Sequence, residues 1–284
     1  MAARDLGAET QLPPAPGPPY KPSRPIVTLL TDFGTRDAYV AAMKGVILGL
    51  NPRVALVDIT HEVPAQDLVA GAFILAQAAP YFPPGTIHLA VVDPGVGTGR
   101  RALAACARGQ FWVGPDNGLL QWAWASSPDL TVVSLTATAY FRPQISATFQ
   151  GRDLFAPVAA HLSLGVDLLS FGPPVTDPLP LPFPAPVRGP ETIQGRIIYL
   201  DHFGNLVSNV PIAELQAWLQ NRGLLVRLGS HTISGLSSTY EDAAPGAILA
   251  LSGSHGYLEI ACNRDHAARR LGLGRGATLE LFWS

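Results

Sequence analysis

Residues 26–35 read IVTLLTDFGT, and residues 86–100 read TIHLAVVDPGVGTGR. Each begins as a short apolar run with β-branched members and then breaks into Asp, Gly and Thr. Such a run predicts a strand covered on both faces, with a polar loop at its carboxyl end. Between the two stretches, Asp37 to Leu50 has helical spacing and stops at Asn51-Pro52. Val54 to Ile59 reads as a strand. Pro64 to Tyr81 reads as a helix with Pro at its entry. This strand–helix–strand–helix–strand alternation predicts an α/β fold, a mostly parallel sheet flanked by helices on both faces.

Further along, Ala102–Ala107 and Phe111–Val113 flank Arg108-Gly109-Gln110 as a hairpin. A short helix over Asn117–Trp124, a strand over Leu130–Leu135 and a helix over Arg152–Leu164 complete this unit. Residues 173–190 contain eight Pro in 18 positions, which predicts an extended, semi-rigid linker. Beyond it the pattern changes to short runs at turn spacing. Strands are expected over Ile193–Leu200, Leu224–Leu228, Ala247–Leu251, Tyr257–Ala261 and Thr278–Phe282, with one helix over Ile212–Gln220. The reading is a smaller C-terminal antiparallel β-barrel-like domain. The division expected is a disordered Pro-rich leader over 1–23, an α/β domain over 24–172, the linker over 173–190 and the β-domain over 191–284.

Composition narrows the function. The 284 residues carry only 14% charged side chains and a net charge of −2, so no basic surface for nucleic acid is indicated. No segment reaches about 18 uninterrupted apolar residues, and the N-terminus lacks the apolar core of a signal peptide. The two cysteines, Cys106 and Cys262, sit apart in apolar runs, as buried thiols of a reducing compartment do. A soluble cytoplasmic protein is expected, with no membrane or nucleic-acid partner.

The polar residues gather where strands end. Asp32 follows the first strand and Asp93 the third, and ligands of open α/β sheets bind outside the carboxyl ends of strands. The GVGTG run after Asp93-Pro94 does not make a dinucleotide fingerprint, because Arg100-Arg101 leads into another strand rather than a helix. Its glycines fit a tight loop that lets Asp93 and Arg100 approach each other. No GxxxxGK[ST] or GxSxG occurs, and the seven His show no zinc spacing, so no metal is expected. In the second half, the turns Asp201-His202-Phe203-Gly204-Asn205 and Ser252-Gly253-Ser254-His255-Gly256-Tyr257 are crowded with polar residues.

TDFGT (31–35), DAYVAAMKGVI (37–47), VDITHEV (57–63), VVDPGVGT-x-R (91–100), GPDNGLL (114–120), TF-x-GRD-x-FAP (148–157), DHFGN (201–205) and SHGYLEIA-x-N (254–263) stand in this order. The set resembles the S-adenosyl-L-methionine (SAM) hydroxide adenosyltransferases, relatives of the fluorinase and chlorinase, from about Ile26 to the C-terminus. The resemblance implies a homotrimer whose ligand lies between the N-domain of one subunit and the C-domain of the next. It implies cleavage of SAM, as substrate and not as cofactor, by water to adenosine and methionine. By motif position Asp32 would bind the ribose hydroxyls and Phe149 would line the pocket near the ribose. Asp201, Ser254 and His255 would hold the methionine end, Asn205 would read the adenine edge and Tyr240 would lie against the ring.

The family's hydroxide enzymes polarise their water with an Asp-Arg-His set. Asp93 and Arg100 match the first two members, and the halogenating relatives lack that Asp. The third normally lies in TFHGRD, and this chain has Gln150 there. Gln can hydrogen-bond a water but cannot take its proton near neutral pH. A halide adenosyltransferase and a non-catalytic SAM or adenosine binder are therefore the alternatives to hydrolysis.

Overall fold

The computed structural model describes residues 24–125 and 127–283. The leader expected over residues 1–23 lies outside the described residues. In chain order the first unit runs β1 (Ile26–Thr31), α1 (Tyr39–Leu50), β2 (Ala55–Thr60), α2 (Leu68–Ala78), β3 (Ile87–Val91), β4 (Ala102–Ala107), β5 (Gln110–Pro115), α3 (Gln121–Trp124), β6 (Thr131–Ser134) and α4 (Ala156–Ser163). The six strands form one sheet in the order β2-β1-β3-β5-β4-β6. β2, β1, β3 and β5 run parallel, and β4 is antiparallel to both β5 and β6.

Both faces are covered, as the continuous apolar strands require. Val27 and Leu29 point into a core with Met43 and Ile47 of α1 and Val158 and Ala159 of α4. Leu30 and Ala90 point the other way, against Ala70 and Leu75 of α2 and Trp124 of α3. Within this sheet His88 is fully buried, stacked on Trp112 with ring centroids 4.4 Å apart, and burial pulls its pKa down to about 4. It is a structural imidazole.

Two helices begin later than their sequence pattern indicates. The segment from Pro64 is first a turn, and α2 starts only where the Asp67 side chain accepts from Ala70 N at 2.9 Å. The helix expected from Arg152 starts as a π-turn, Gly151–Phe155, before α4. π-turns place one extra residue in the turn and so redirect the chain there. The Pro-rich segment is extended but is not a free spacer. Leu179 N donates to Asp116 Oδ1 at 2.7 Å, Trp122 Nε1 donates to Leu181 O at 2.6 Å, and Arg101 Nη1 reaches Asp177 Oδ1 at 2.7 Å. The residues between prolines keep the N–H groups that proline lacks, and these stitch the ribbon to the first unit.

The remainder comprises β7 (Val187–Arg188), β8 (Thr192–Leu200), β9 (Leu206–Pro211), α5 (Ile212–Leu219), β10 (Leu224–Leu228), β11 (His231–Ser234), β12 (Ile248–Ser252), β13 (Tyr257–Cys262), α6 (Ala267–Leu271) and β14 (Thr278–Trp283). Seven of its strands form an antiparallel, nearly closed barrel-like sheet in the order β11-β10-β14-β8-β9-β13-β12, with β7 beside β8. Two of these strands escape a periodicity reading. β9 carries the buried polar residues Ser208 and Asn209, and β11 is the short, mostly exposed HTIS. The two sheets meet at an aromatic cluster. Phe73 of α2 packs against Tyr199 at 5.2 Å and Tyr257 at 6.0 Å, and Arg275 pairs with Asp67.

Candidate active site

The loop after β3 folds back on itself. Val96 N donates to Asp93 O at 3.2 Å, and Thr98 Oγ1 donates to Gly95 O at 2.7 Å. Gly97 has φ +79°, and a Cβ there would stand 2.6 Å from the carbonyl oxygen of Ala147. Only glycine lets this loop lie so close to the 144–148 segment. That approach brings three side chains together. Arg100 Nε donates to Asp93 Oδ1 at 2.8 Å and to Oδ2 at 2.9 Å, and Arg100 Nη2 also donates to Asp93 Oδ2. Arg100 Nη2 donates to Gln150 Oε1 at 2.5 Å. The Asp93 and Arg100 side chains are 4% and 9% exposed, so the pair sits in a nearly dry corner where its charges are strongly coupled. Because arginine only donates, the oxygen of the Gln150 amide must face Arg100, and its NH₂ group is turned away.

Gln150 immediately precedes the π-turn, whose Asp153 is fully buried. Arg152 Nε donates to Asp153 Oδ1 at 2.7 Å and Ser146 N donates to Oδ2 at 2.9 Å, which fastens the loop carrying Thr148, Phe149 and Gln150. The hydrogen-bonded Arg152 guanidinium holds the Asp153 carboxyl below its ordinary pKa.

Beside this corner lies a cleft of about 370 Å³ lined by Phe33, Tyr39, Ser146, Thr148, Phe149 and Arg152. Phe149 meets Tyr39 edge-on at 5.1 Å and Phe33 at 6.1 Å. Asp32, at the end of β1, accepts from Gln66 N through Oδ2 at 2.8 Å, which leaves Oδ1 for a ligand hydroxyl.

The other expected residues gather in the barrel. Asp201 Oδ1 accepts from Asn205 N at 2.8 Å, and its Oδ2 accepts from Asn205 Nδ2 at 2.9 Å. Asn205 thus keeps its carbonyl oxygen and one N–H for a ligand. A cleft of about 640 Å³ is lined by Asn205 and Tyr240 together with His202, Phe203, Cys262, Arg264, Asp265, His266 and Arg269. Tyr240 donates to Glu259 Oε1 at 2.9 Å; burial and this carboxylate push its phenol up to about 12. Ser254 is exposed at the β12–β13 turn. Next to it, the His255 ring faces Glu259 Oε2 through Nε2 at 3.0 Å and accepts from Tyr257 N through Nδ1 at 3.2 Å.

Sequence reasoning missed three residues here. Phe203 is 73% exposed at the rim of the second cleft. Its place inside DHFGN was the available signal. Glu259 is buried beneath Tyr240 and His255, and nothing in an apolar strand marks such a pairing beforehand. His266 lies so close to Gly204, at φ +82°, that a Cβ there would fall within its ring.

The first cleft belongs to the unit of the parallel sheet, lined by Phe149, the residue before Gln150, and the second cleft sits on the barrel. The two share no lining residue. Residues 27–172 match the SAM hydroxide adenosyltransferase N-terminal domain, and residues 195–280 match the C-terminal domain of that family. The chain is 40% identical to an (R)-S-adenosyl-L-methionine hydrolase of Salinispora arenicola, over 91% of this chain and 98% of the relative. It is 41% identical to one of Thermus thermophilus, over 90% and 99%. An uncharacterized conserved protein from Thermotoga maritima has a crystal structure with the same fold, at TM-score 0.85 and 33% identity over 90% of this chain and 99% of that one. The chain belongs to the SAM hydroxide adenosyltransferase family.

Proposed function

We propose that this protein hydrolyses S-adenosyl-L-methionine to adenosine and L-methionine. The observation that carries the reading is the buried Asp93–Arg100–Gln150 corner beside the Phe33–Phe149 cleft. The sulfonium is a cation, and it leaves the ribose 5′ carbon as a neutral thioether. Such a leaving group needs no general acid and no metal, so no cofactor is proposed. The demanding partner is the nucleophile, since bulk water has a pKa of about 15.7. Arg100 fixes Asp93, Asp93 accepts a hydrogen bond from the water, and the Gln150 NH₂ group donates to the water oxygen. In-line attack forms the C–O bond as the C–S bond breaks, and the water's proton passes to Asp93 and then to solvent. Presence of Asp93 favours water over halide as the nucleophile.

By motif position Asp32 and Phe149 hold the ribose. Asn205 and Tyr240 hold the adenine, Asp201 and Ser254 hold the methionine end, and His255, whose ring nitrogens face Glu259 and Tyr257 N, shapes the turn that presents Ser254. SAM must then touch both clefts, and no lining residue is common to them. We therefore propose that the cleft on the sheet of one copy is completed by the barrel of a second, in a homotrimer. The unpaired cysteines, Cys106 and Cys262, fit a cytoplasmic location.

Incubation with each sulfonium epimer of SAM, with products separated by chromatography, tests the reading. Adenosine and methionine are expected, with the R epimer preferred as in the names of the relatives. A 5′-halo-adenosine would assign the halide reaction. Binding without product would assign the non-catalytic reading, which the absence of a base at position 150 favours. Light scattering should give three copies per particle, and a monomer binding SAM at full strength would overturn the shared site.

A further inference from the structure

Glu259 lies on β13 between β12 and β9, paired in register with Leu251 and Val207, and is 4% exposed. A carboxylate there costs free energy unless its oxygens are satisfied. Both are, and by different turns. Oε1 accepts from Tyr240, which opens the helical turn after Thr239, and Oε2 accepts from His255 in the β12–β13 turn. His255 already uses Nδ1 to accept from Tyr257 N, so the hydrogen of the neutral ring is on Nε2 and points at Glu259. Neither ring nitrogen of His255 is left for a ligand. Phe73 of α2 packs edge-on against the same ring at 5.8 Å, which clamps the turn from the side of the parallel sheet.

We propose that Glu259 is a positioning residue of the substrate site, holding the Tyr240 ring and the His255–Ser254 turn in fixed relation to each other. The assignment rests on the proposed SAM site. The adenine end would meet Tyr240, and the methionine end would meet Ser254. One buried carboxylate therefore sets the spacing between two ends of one ligand. His255 shapes the turn, and Ser254 makes the contact. Asp201 is the other acidic group whose charge acts on the Tyr240 phenol.

The test uses the full chain and the variants Glu259→Leu and Glu259→Gln. Leu removes both acceptors at similar volume. Gln keeps one oxygen for His255, while its NH₂ can donate to the Tyr240 oxygen, so it should rescue most of the loss. In folded Glu259→Leu, KM for SAM and the calorimetric Kd for adenosine should each rise about tenfold or more, with kcat within about twofold. Ultraviolet titration should show one tyrosine of the wild type ionising near 12, and in Glu259→Leu that tyrosine should move toward its ordinary value near 10. A residue that only supports the fold would lower the melting temperature and leave KM and adenosine affinity unchanged; that result overturns the proposal. So does a Glu259→Gln variant as impaired as Glu259→Leu. Adenosine calorimetry needs no turnover. A wild type that binds adenosine but yields no product would refute hydrolysis while the Glu259 comparison still decides this assignment.

Discussion

The Asp93–Arg100–Gln150 corner and the Phe203–Tyr240 cleft differ in how complete each is within one chain. In the corner every charge has its partner, and the Asp93 and Arg100 side chains are less than a tenth exposed. In the cleft the polar groups are paired behind the surface, through Asp201–Asn205 and Tyr240–Glu259, while Phe203 and Tyr240 stand 73% and 44% exposed. A buried ion pair has to be closed by its own chain, because an unpaired charge in a dry place is costly. Exposed aromatics carry no such cost and wait for a flat partner. On the proposed function the corner beside the parallel sheet would carry the chemistry and the barrel cleft would bind the adenine, and each part can be broken separately.

The largest effect should follow Asp93→Asn. It removes the proposed proton acceptor and leaves the Arg100 guanidinium facing an amide. Single-turnover hydrolysis should fall about 10²- to 10⁴-fold. Thermal unfolding should also show destabilisation, since breaking a buried ion pair typically costs about 3–5 kcal/mol. A variant with normal turnover would take the chemistry out of the corner. Asp32→Asn comes next. One carboxylate oxygen already accepts from Gln66 N, so the change bears on the free oxygen. Adenosine affinity, read by calorimetry, should drop about 10- to 150-fold, the worth of a charged hydrogen bond.

Phe203→Ala sharpens the recognition half. A base stacked on an aromatic ring is worth about 1–3 kcal/mol, so adenosine affinity should fall about tenfold. Stability should move by less than about 0.5 kcal/mol, as for other exposed positions. Unchanged adenosine binding would make Phe203 a bare turn residue. The smallest effect is expected from Gln150→His. Position 150 presents its acceptor to Arg100. A neutral histidine there would offer Arg100 its lone pair and present N–H to the water. Its gain should stay below about tenfold, short of the ~10²–10⁴ of a free base. A new rise in rate through about pH 6.5, absent from the wild type, would show the imidazole acting as base instead.

Much of the architecture was readable in advance because its signals are local. IVTLL and TIHLAVV declare buried parallel strands, and the helix between Asp37 and Leu50 follows from periodicity and the Asn51-Pro52 stop. What was not readable turned on which side chain meets which backbone group, near or far along the chain. Pro64 looks like a helix start, but Asp67 caps the helix through its side chain. β9 has Ser208 and Asn209 in the middle of its apolar run and still buries both, and Asn209 accepts from Arg196 N at 2.7 Å across the strand pair.

The same division holds at the site. Order and spacing of the motifs identified the family and named Asp93, Arg100 and Gln150 as a set, because a chain that must bind one ligand keeps particular residue types at particular loops. Tertiary structure decided which atoms of that set face one another. The Gly97 loop packs on Ala147 and brings Arg100 near Gln150, and the Gln150 amide turns its oxygen to Arg100 because a guanidinium only donates. It also decided that Glu259 ties Tyr240 to His255. Those contacts join residues 50 and 19 positions apart or close across one turn, and side-chain direction at such range is set by packing and not by local pattern.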